Sequence, residues 1–146
     1  MVVLLGPSVQ AQLLQKRGAD PRSGTQDSGS AEAEAERNHW RGVVAVVDDG
    51  GWVILLERMD HAAMTPCVEL AEGKARSAAL FKKPTQALEE VINQGRYAAI
   101  TARGIEMQGG LPIVVDGHVI GGIGASFDTP EHDVQIAQAG LAALTQ

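Results

Sequence analysis

The chain has 146 residues and a formal charge of −6 at pH 7. This length suits one domain, and the acidic balance argues against a nucleic-acid partner, which would require a basic surface. The single cysteine excludes an intrachain disulfide. The apolar start of the chain is too short for a signal core, and no segment approaches the roughly 18 apolar residues of a membrane span. We therefore expect a cytoplasmic protein that binds neither nucleic acid nor membranes.

Few aromatic side chains are available to build a core. The chain has two Trp, one Tyr and two Phe residues but 17 Gly. A core of small side chains is thin and gains burial from a partner subunit. The composition therefore predicts a homo-oligomer, with an even number of subunits because two-fold assemblies are the commonest.

The first 30 residues are predicted to form an irregular or disordered arm, and residues 31–146 the domain. Residues 17–30 are rich in Gly and Ser and have no hydrophobic period, which is typical of a linker. Residues 31–37 alternate Ala and Glu and favour a short helix that Ser30 can cap.

Two strands follow this helix. The β-branched run over residues 42–47 predicts a buried strand, and an Asp-Gly-Gly turn joins it to a second strand over residues 52–57. This pair is the first predicted hairpin.

Two helices come next. Thr65 and Pro66 begin a helix that Pro84 ends, and its small apolar residues form a stripe suited to lying on a sheet. A second short helix covers residues 85–93. After it we expect a short helix or loop and then a brief strand near residues 105–107.

The C-terminal part contains a second hairpin and a last helix. Two β-branched runs flank the turn Asp116-Gly117, and the second run ends in a glycine-rich patch. Thr129 can cap a helix that runs from Pro130 to Leu144, with Val134 among its buried residues. Hairpins without βαβ units predict an α/β fold of the α+β kind, in which helices pack on an antiparallel sheet.

Lys74 is the most suggestive single residue. It lies among apolar neighbours at the edge of the buried face of its predicted helix, where it could hold an anionic group or act as a nucleophile. The alternative is that its stem packs on the sheet while the ammonium extends to water.

A charged segment, residues 57–61, follows the second strand. Arg58 could grip a carboxylate and Asp60 or His61 could move a proton. The alternative is that Glu57 and Arg58 form a pair across strands and that Asp60 makes a turn.

The glycines of the second hairpin and the acidic residues after it also have two interpretations. The glycines could admit a ligand or allow a helix or a second subunit to pack closely. Asp128, Glu131 and Asp133 favour the positive end of the last helix and would repel an anion there, and adjacent helical residues cannot converge on one ion, so we expect no metal site. For haem, the candidate axial ligands are the side chains of His39, His61, His118, His132, Cys67, Met59, Met64 and Met107.

Several motifs resemble those of the GlcG/HbpS-like family, which includes haem-degrading domain proteins and the C-terminal domain of PduO-type corrinoid adenosyltransferases. The resemblance spans residues 31–144 and is carried by these motifs: Asp48-Asp49-Gly50-Gly51, Glu57-Arg58-Met59-Asp60, Lys74-Ala75, Phe81 with Pro84-Thr85, Gly109-Gly110-Leu111-Pro112-Ile113, Gly117, Val119-Ile120-Gly121, Gly124-Ala125-Ser126, and Asp133 with Ala137, Gly140 and Leu141. It implies a five-stranded antiparallel sheet with flanking helices, of the profilin-like or PAS-like kind.

The resemblance and the residue patterns together predict a small-molecule binding protein. Its ligand, haem or a corrinoid such as cobalamin, would lie in a cleft between the Lys74 helix and the glycine-rich hairpin. The predicted ligand-binding residues are Arg58, Asp60, Lys74, Phe81, Gly109, Gly110, Gly121, Gly124 and Ser126. Two alternatives are an enzyme acting on a small carboxylate metabolite and a non-catalytic accessory subunit of an oligomer.

Overall fold

The computed structural model describes the backbone of residues 21–143 and the side chains of residues 29–143. The helices are α1 (Pro21–Arg37), α2 (Cys67–Phe81), α3 (Thr85–Asn93) and α4 (Pro130–Ala143), with a 3₁₀ helix at Tyr97–Ala102. The strands are β1 (Val43–Asp48), β2 (Val53–Arg58), β3 (Gly110–Val115) and β4 (His118–Ser126). None of the helices within residues 21–143 is long and apolar enough to cross a membrane.

The four strands form one antiparallel sheet in the order β2-β1-β4-β3. Both predicted hairpins are confirmed, and Asp116 and Gly117 turn the second one with positive φ angles of 50° and 76°. Helix α2 covers one face of the sheet, and helices α1 and α4 cover the other. The mixed antiparallel class predicted from the sequence is therefore confirmed.

Strand β1 is buried on both faces, as its continuous β-branched run predicts. Val43, Ala45 and Val47 pack with the small residues of α2, whereas Val44 and Val46 pack with α1 and α4. Alternate side chains of a strand point to opposite faces, so one apolar run serves both layers.

The predicted fifth strand near residues 105–107 is wrong. In the described part of the chain this segment has no strand neighbour, and helix side chains satisfy its amides instead. The Ser77 hydroxyl accepts the Ile105 N–H at 2.8 Å, and Glu89 Oε2 accepts the Gln108 N–H at 2.8 Å. Ile105 lies against Gly73, where an added Cβ would come within 2.3 Å of its Cγ1. A segment held in this way needs no ladder partner.

The prediction for the N-terminal arm is wrong over residues 21–30, which belong to helix α1. Residues 1–20 lie outside the described residues. The Ala-Glu run favours helix, and extending an existing helix is easier than starting one, so the helix reaches back past Ser30 to Pro21, a residue suited to a first turn. Ala31 and Ala35 anchor it, since both are fully buried against α4.

The last helix begins as predicted but turns a different face inward. Thr129 Oγ1 accepts the His132 N–H at 3.2 Å, which confirms the predicted cap. The buried residues are Asp133, Ile136, Ala137 and Gly140, whereas Val134 is only partly buried. This rotation places a carboxylate on the buried face.

Candidate functional site

Lys74 is buried, not at the edge of the helix face. Its side chain lies on α2 and is 1% exposed. The ammonium Nζ donates to Asp133 Oδ2 at 2.5 Å and to the Ala125 carbonyl of β4 at 3.1 Å. A buried ammonium requires such partners, so the alternative in which Lys74 extends to water is wrong.

Asp133 connects the end of the sheet to helix α4. Its Oδ1 accepts the Phe127 N–H at 2.6 Å while its Oδ2 binds Lys74. Burial raises the pKa of the Asp133 carboxyl above its ordinary value, and Lys74 opposes this effect. The ion pair therefore joins three elements, α2, β4 and α4, around a charge that burial makes costly to keep.

Ser126 lines the same pocket as this pair, and its hydroxyl has no partner in the described structure. Ser126 is 1% exposed, and its Oγ makes no hydrogen bond in the described structure. It lines a pocket of about 90 Å³ together with Lys74, Asp133, Phe127, Met64 and Met107. We call this the Lys74 pocket. Met64 and Met107 are exposed.

The predicted cleft between α2 and the glycine-rich hairpin is closed along the glycines, where α2 packs directly on them, and a pocket remains at the end of the hairpin, where Lys74 and Ser126 line the Lys74 pocket. A Cβ added to Gly124 would lie 2.2 Å from the Ala71 carbonyl oxygen, and one added to Gly110 would lie 2.4 Å from the Lys74 carbonyl oxygen. Gly109 faces Asp133 and Lys74 in the same way, and Gly121 is buried in β4. Close packing is therefore the role of Gly109, Gly110 and Gly124 in this structure.

The other predicted site residues lie elsewhere. Arg58 pairs with Val43 on one side of β1 and Ser126 pairs with Val43 on the other, so two strand spacings, roughly 10 Å, separate Arg58 from Ser126. Arg58 and Asp60 are exposed and are not among the residues that line the Lys74 pocket. Arg58 instead lines a hollow of about 360 Å³ with Glu57. The acid–base partners proposed for an enzyme, Asp60 and His61, are not brought to Lys74.

Phe81 lies in a third place, a groove of about 490 Å³ beside α3 and the 3₁₀ helix. Apolar side chains form its walls and include Leu88 and Val91, and the exposed cations Lys83 and Arg96 also line it. Glu106 lines it too, and its Oε1 is buried without a hydrogen-bond partner. We call this the α3 groove.

Of the candidate axial ligands for haem, Met64 and Met107 both line the Lys74 pocket, and the others are not among its lining residues. His39, His61 and His118 are exposed, and Cys67 is buried. His132 stacks on Trp40 with ring centroids 3.6 Å apart, and its Nδ1 lies 2.7 Å from Asp128 Oδ1, a contact that lowers the pKa of the Asp128 carboxyl. Within residues 29–143, no three His, Cys, Asp or Glu side chains are placed to hold a metal ion.

Sequence reasoning found Lys74 and Ser126 but missed Asp133 as the partner of Lys74. Asp133 was interpreted as a residue of the positive helix end, where acidic residues are common. It also lies four residues before Ala137, a small apolar residue of the same helix, so the two share a helix face. An acidic residue on one buried face and a lysine on another is the pattern that indicates a buried pair.

Comparisons with known proteins agree with the sequence motifs. A family model described as haem degrading protein HbpS-like matches residues 28–142. GlcG from Escherichia coli is 42% identical over 98 residues, which are 66% of this chain and 72% of that protein.

Two solved structures are similar over most of the chain. A double mutant of HbpS from Streptomyces reticuli has a TM-score of 0.85 at 27% identity and covers 99% of this chain and 96% of that one. A PduOC–haem complex has a TM-score of 0.79 at 29% identity and covers 87% of this chain and 95% of that one.

Proposed function

This chain belongs to the HbpS-like family of haem-degrading proteins, and we propose that it binds haem or a related tetrapyrrole in the α3 groove. The crystal structure of PduOC with haem supports the choice of ligand class. The observation that carries the proposal is the groove itself, about 490 Å³ of largely apolar space lined by two exposed cations.

The α3 groove and the Lys74 pocket differ in volume, and this decides which of them is the candidate site for a macrocycle. Sites for cofactors and drug-sized ligands have volumes of roughly 300 to 1,000 Å³. The α3 groove falls in this range, whereas the Lys74 pocket, at about 90 Å³, does not. By volume the groove can hold a ligand of cofactor size, whereas the Lys74 pocket is too small for a tetrapyrrole.

The chemistry of the groove also fits a haem. Phe81, Leu88 and Val91 supply apolar walls for the ring. Arg96 and Lys83 are cations that can pair with the two propionates, Arg96 in the bidentate manner of a guanidinium. A haem bound there would supply iron-centred redox chemistry.

Glu106 is the remaining polar group in the groove. Its buried, unpartnered Oε1 destabilises the folded protein unless a ligand supplies a donor or a positive centre. The residues that line the groove include no His, Cys or Met, so none of the axial ligands predicted from the sequence lies there, and the proposed binding rests on the apolar walls and the two cations.

The test is a titration of the full-length chain with haemin, followed in the Soret band. We expect saturable binding to the native chain and roughly tenfold weaker binding to Arg96→Glu, because one charge-assisted contact becomes a repulsive one. Leu88→Arg should block the groove. Arg41→Glu makes the same charge change at an exposed arginine outside the groove and serves as the control.

Native affinity for haemin in both groove variants would contradict the proposal. A parallel titration with hydroxocobalamin tests whether the protein binds a corrinoid. A titration with iron-free protoporphyrin tests whether the iron contributes to binding.

The even-numbered homo-oligomer predicted from the composition stays a prediction.

A further inference from the structure

We propose that the Lys74 pocket is a second, independent binding site, and that its ligand is a small monocarboxylate. The proposal is carried by two residues that line the same pocket and each keep an unused hydrogen-bond donor, Lys74 and Ser126. It does not depend on the tetrapyrrole proposed for the α3 groove.

Lys74 and Ser126 supply hydrogen-bond donors to the pocket. A lysine ammonium has three N–H donors, and two of those on Lys74 are used by Asp133 Oδ2 and the Ala125 carbonyl. The Ser126 hydroxyl is a second donor without a partner. Two donors that line the same pocket and have no acceptor in the described structure can serve the two oxygens of a carboxylate.

The volume of the Lys74 pocket limits the size of its ligand. A water molecule occupies about 30 Å³ of liquid, so a pocket of about 90 Å³ holds roughly three waters or an organic acid of a few non-hydrogen atoms. The walls contributed by Leu70, Phe127 and the two methionines suit a short apolar group attached to the carboxylate.

The charged residues that line the pocket limit the charge of its ligand. Asp133 already balances one unit on Lys74, and Asp128 and Glu89 also line the pocket. A second negative charge on the ligand would meet these carboxylates without a further cation. These carboxylates disfavour a dicarboxylate more strongly than a monocarboxylate, and a bound monocarboxylate would be held by direct donation from Lys74 and Ser126, against the excess negative charge of the lining. Asp133 acts as a positioning residue, since the Phe127 N–H fixes its carboxylate and the carboxylate fixes Lys74.

Ser126 provides the sharpest test because its hydroxyl makes no bond within the protein. Ser126→Ala removes a ligand donor and breaks no contact that supports the fold. Binding of acetate and propionate to the full-length chain is measured by ligand-detected saturation-transfer NMR and calorimetry, with acetamide and malonate as the neutral and dianionic comparisons. Ser30→Ala is the matched control, a serine on α1 outside the pocket.

We expect acetate or propionate to bind the native chain better than acetamide or malonate, and Ser126→Ala to weaken that binding roughly tenfold without lowering the melting temperature. Ser126→Val should abolish binding by filling the space. Unchanged affinity in Ser126→Ala would overturn the proposal, and so would the absence of binding by both monocarboxylates at millimolar concentrations. Haemin binding should be the same in Ser126→Ala as in the native chain. Failure of the monocarboxylate proposal can therefore be distinguished from failure of the tetrapyrrole proposal for the α3 groove.

Discussion

The two candidate sites differ in how the fold holds their charged groups. In the Lys74 pocket the cation is buried and paired, and the same contacts that place it hold α2 and α4 on the sheet. In the α3 groove the cations Lys83 and Arg96 are exposed beside apolar walls. A charge in the first site is therefore inseparable from folding, whereas a charge in the second can change with little effect on stability.

The largest effect expected from this difference is at Lys74. Lys74→Met leaves Asp133 buried without its cation, so we expect a loss of about 3–5 kcal/mol in the free energy of unfolding. Arg96→Glu should change it by less than about 0.5 kcal/mol. Urea denaturation of the two variants measures the contrast.

A double variant separates the charge from the shape of the site. In Lys74→Met with Asp133→Asn, the amide oxygen still accepts the Phe127 N–H and no charge is left unpaired. Most of the lost stability should return. A cost below about 1 kcal/mol for Lys74→Met alone would mean that the pair behaves like a solvated surface pair, and the comparison would fail.

A smaller effect is expected at the glycines of β4. The methyl of Gly124→Ala would lie 2.2 Å from the Ala71 carbonyl oxygen and 2.5 Å from the Ala75 nitrogen, so α2 must shift. We expect a loss of about 1–3 kcal/mol in thermal or urea unfolding. Gly29→Ala on α1, where a Cβ meets nothing within 4 Å, should be neutral or stabilising. Native stability of Gly124→Ala would restore the ligand cleft predicted between α2 and the hairpin.

The smallest effect is a dependence on pH. Because burial raises the pKa of Asp133 in the folded state, the folded protein holds that proton more tightly than the unfolded chain. The stability contributed by Asp133 therefore falls as pH rises from its unfolded pKa through its folded pKa. Lys74→Met removes the attraction that limits this shift, so its urea midpoint should fall more than the native one as pH rises above the ordinary pKa of an aspartate. Equal changes in the two proteins would show that Asp133 ionises freely in both.

The elements with a clear local pattern were predictable from the sequence. The β-branched runs gave both hairpins, and the predicted helix over residues 85–93 has the same bounds as α3. The segment around Ile105 was not predictable, because its amides are bonded by Ser77 and Glu89, residues 28 and 19 positions away in the chain. No local pattern reports such partners.

The two sites show the same limit. Lys74 was found because a lysine among small apolar residues is unusual, but its partner is 59 residues distant and looked like an ordinary first-turn acid. The α3 groove combines residues from the end of α2, from α3 and from the 3₁₀ helix, and only Phe81 among them was selected, through the family resemblance. Surface cavities arise from the packing of elements, which periodicity does not specify.

The most direct test of two separate sites is one exchange experiment on three proteins. Haemin and acetate affinities are measured for the native chain, Arg96→Glu and Ser126→Ala under the same buffer conditions. The account predicts that Arg96→Glu weakens haemin roughly tenfold and leaves acetate unchanged, and that Ser126→Ala does the reverse. If either substitution weakens both ligands equally, or if neither substitution affects its own ligand, the two-site account is contradicted.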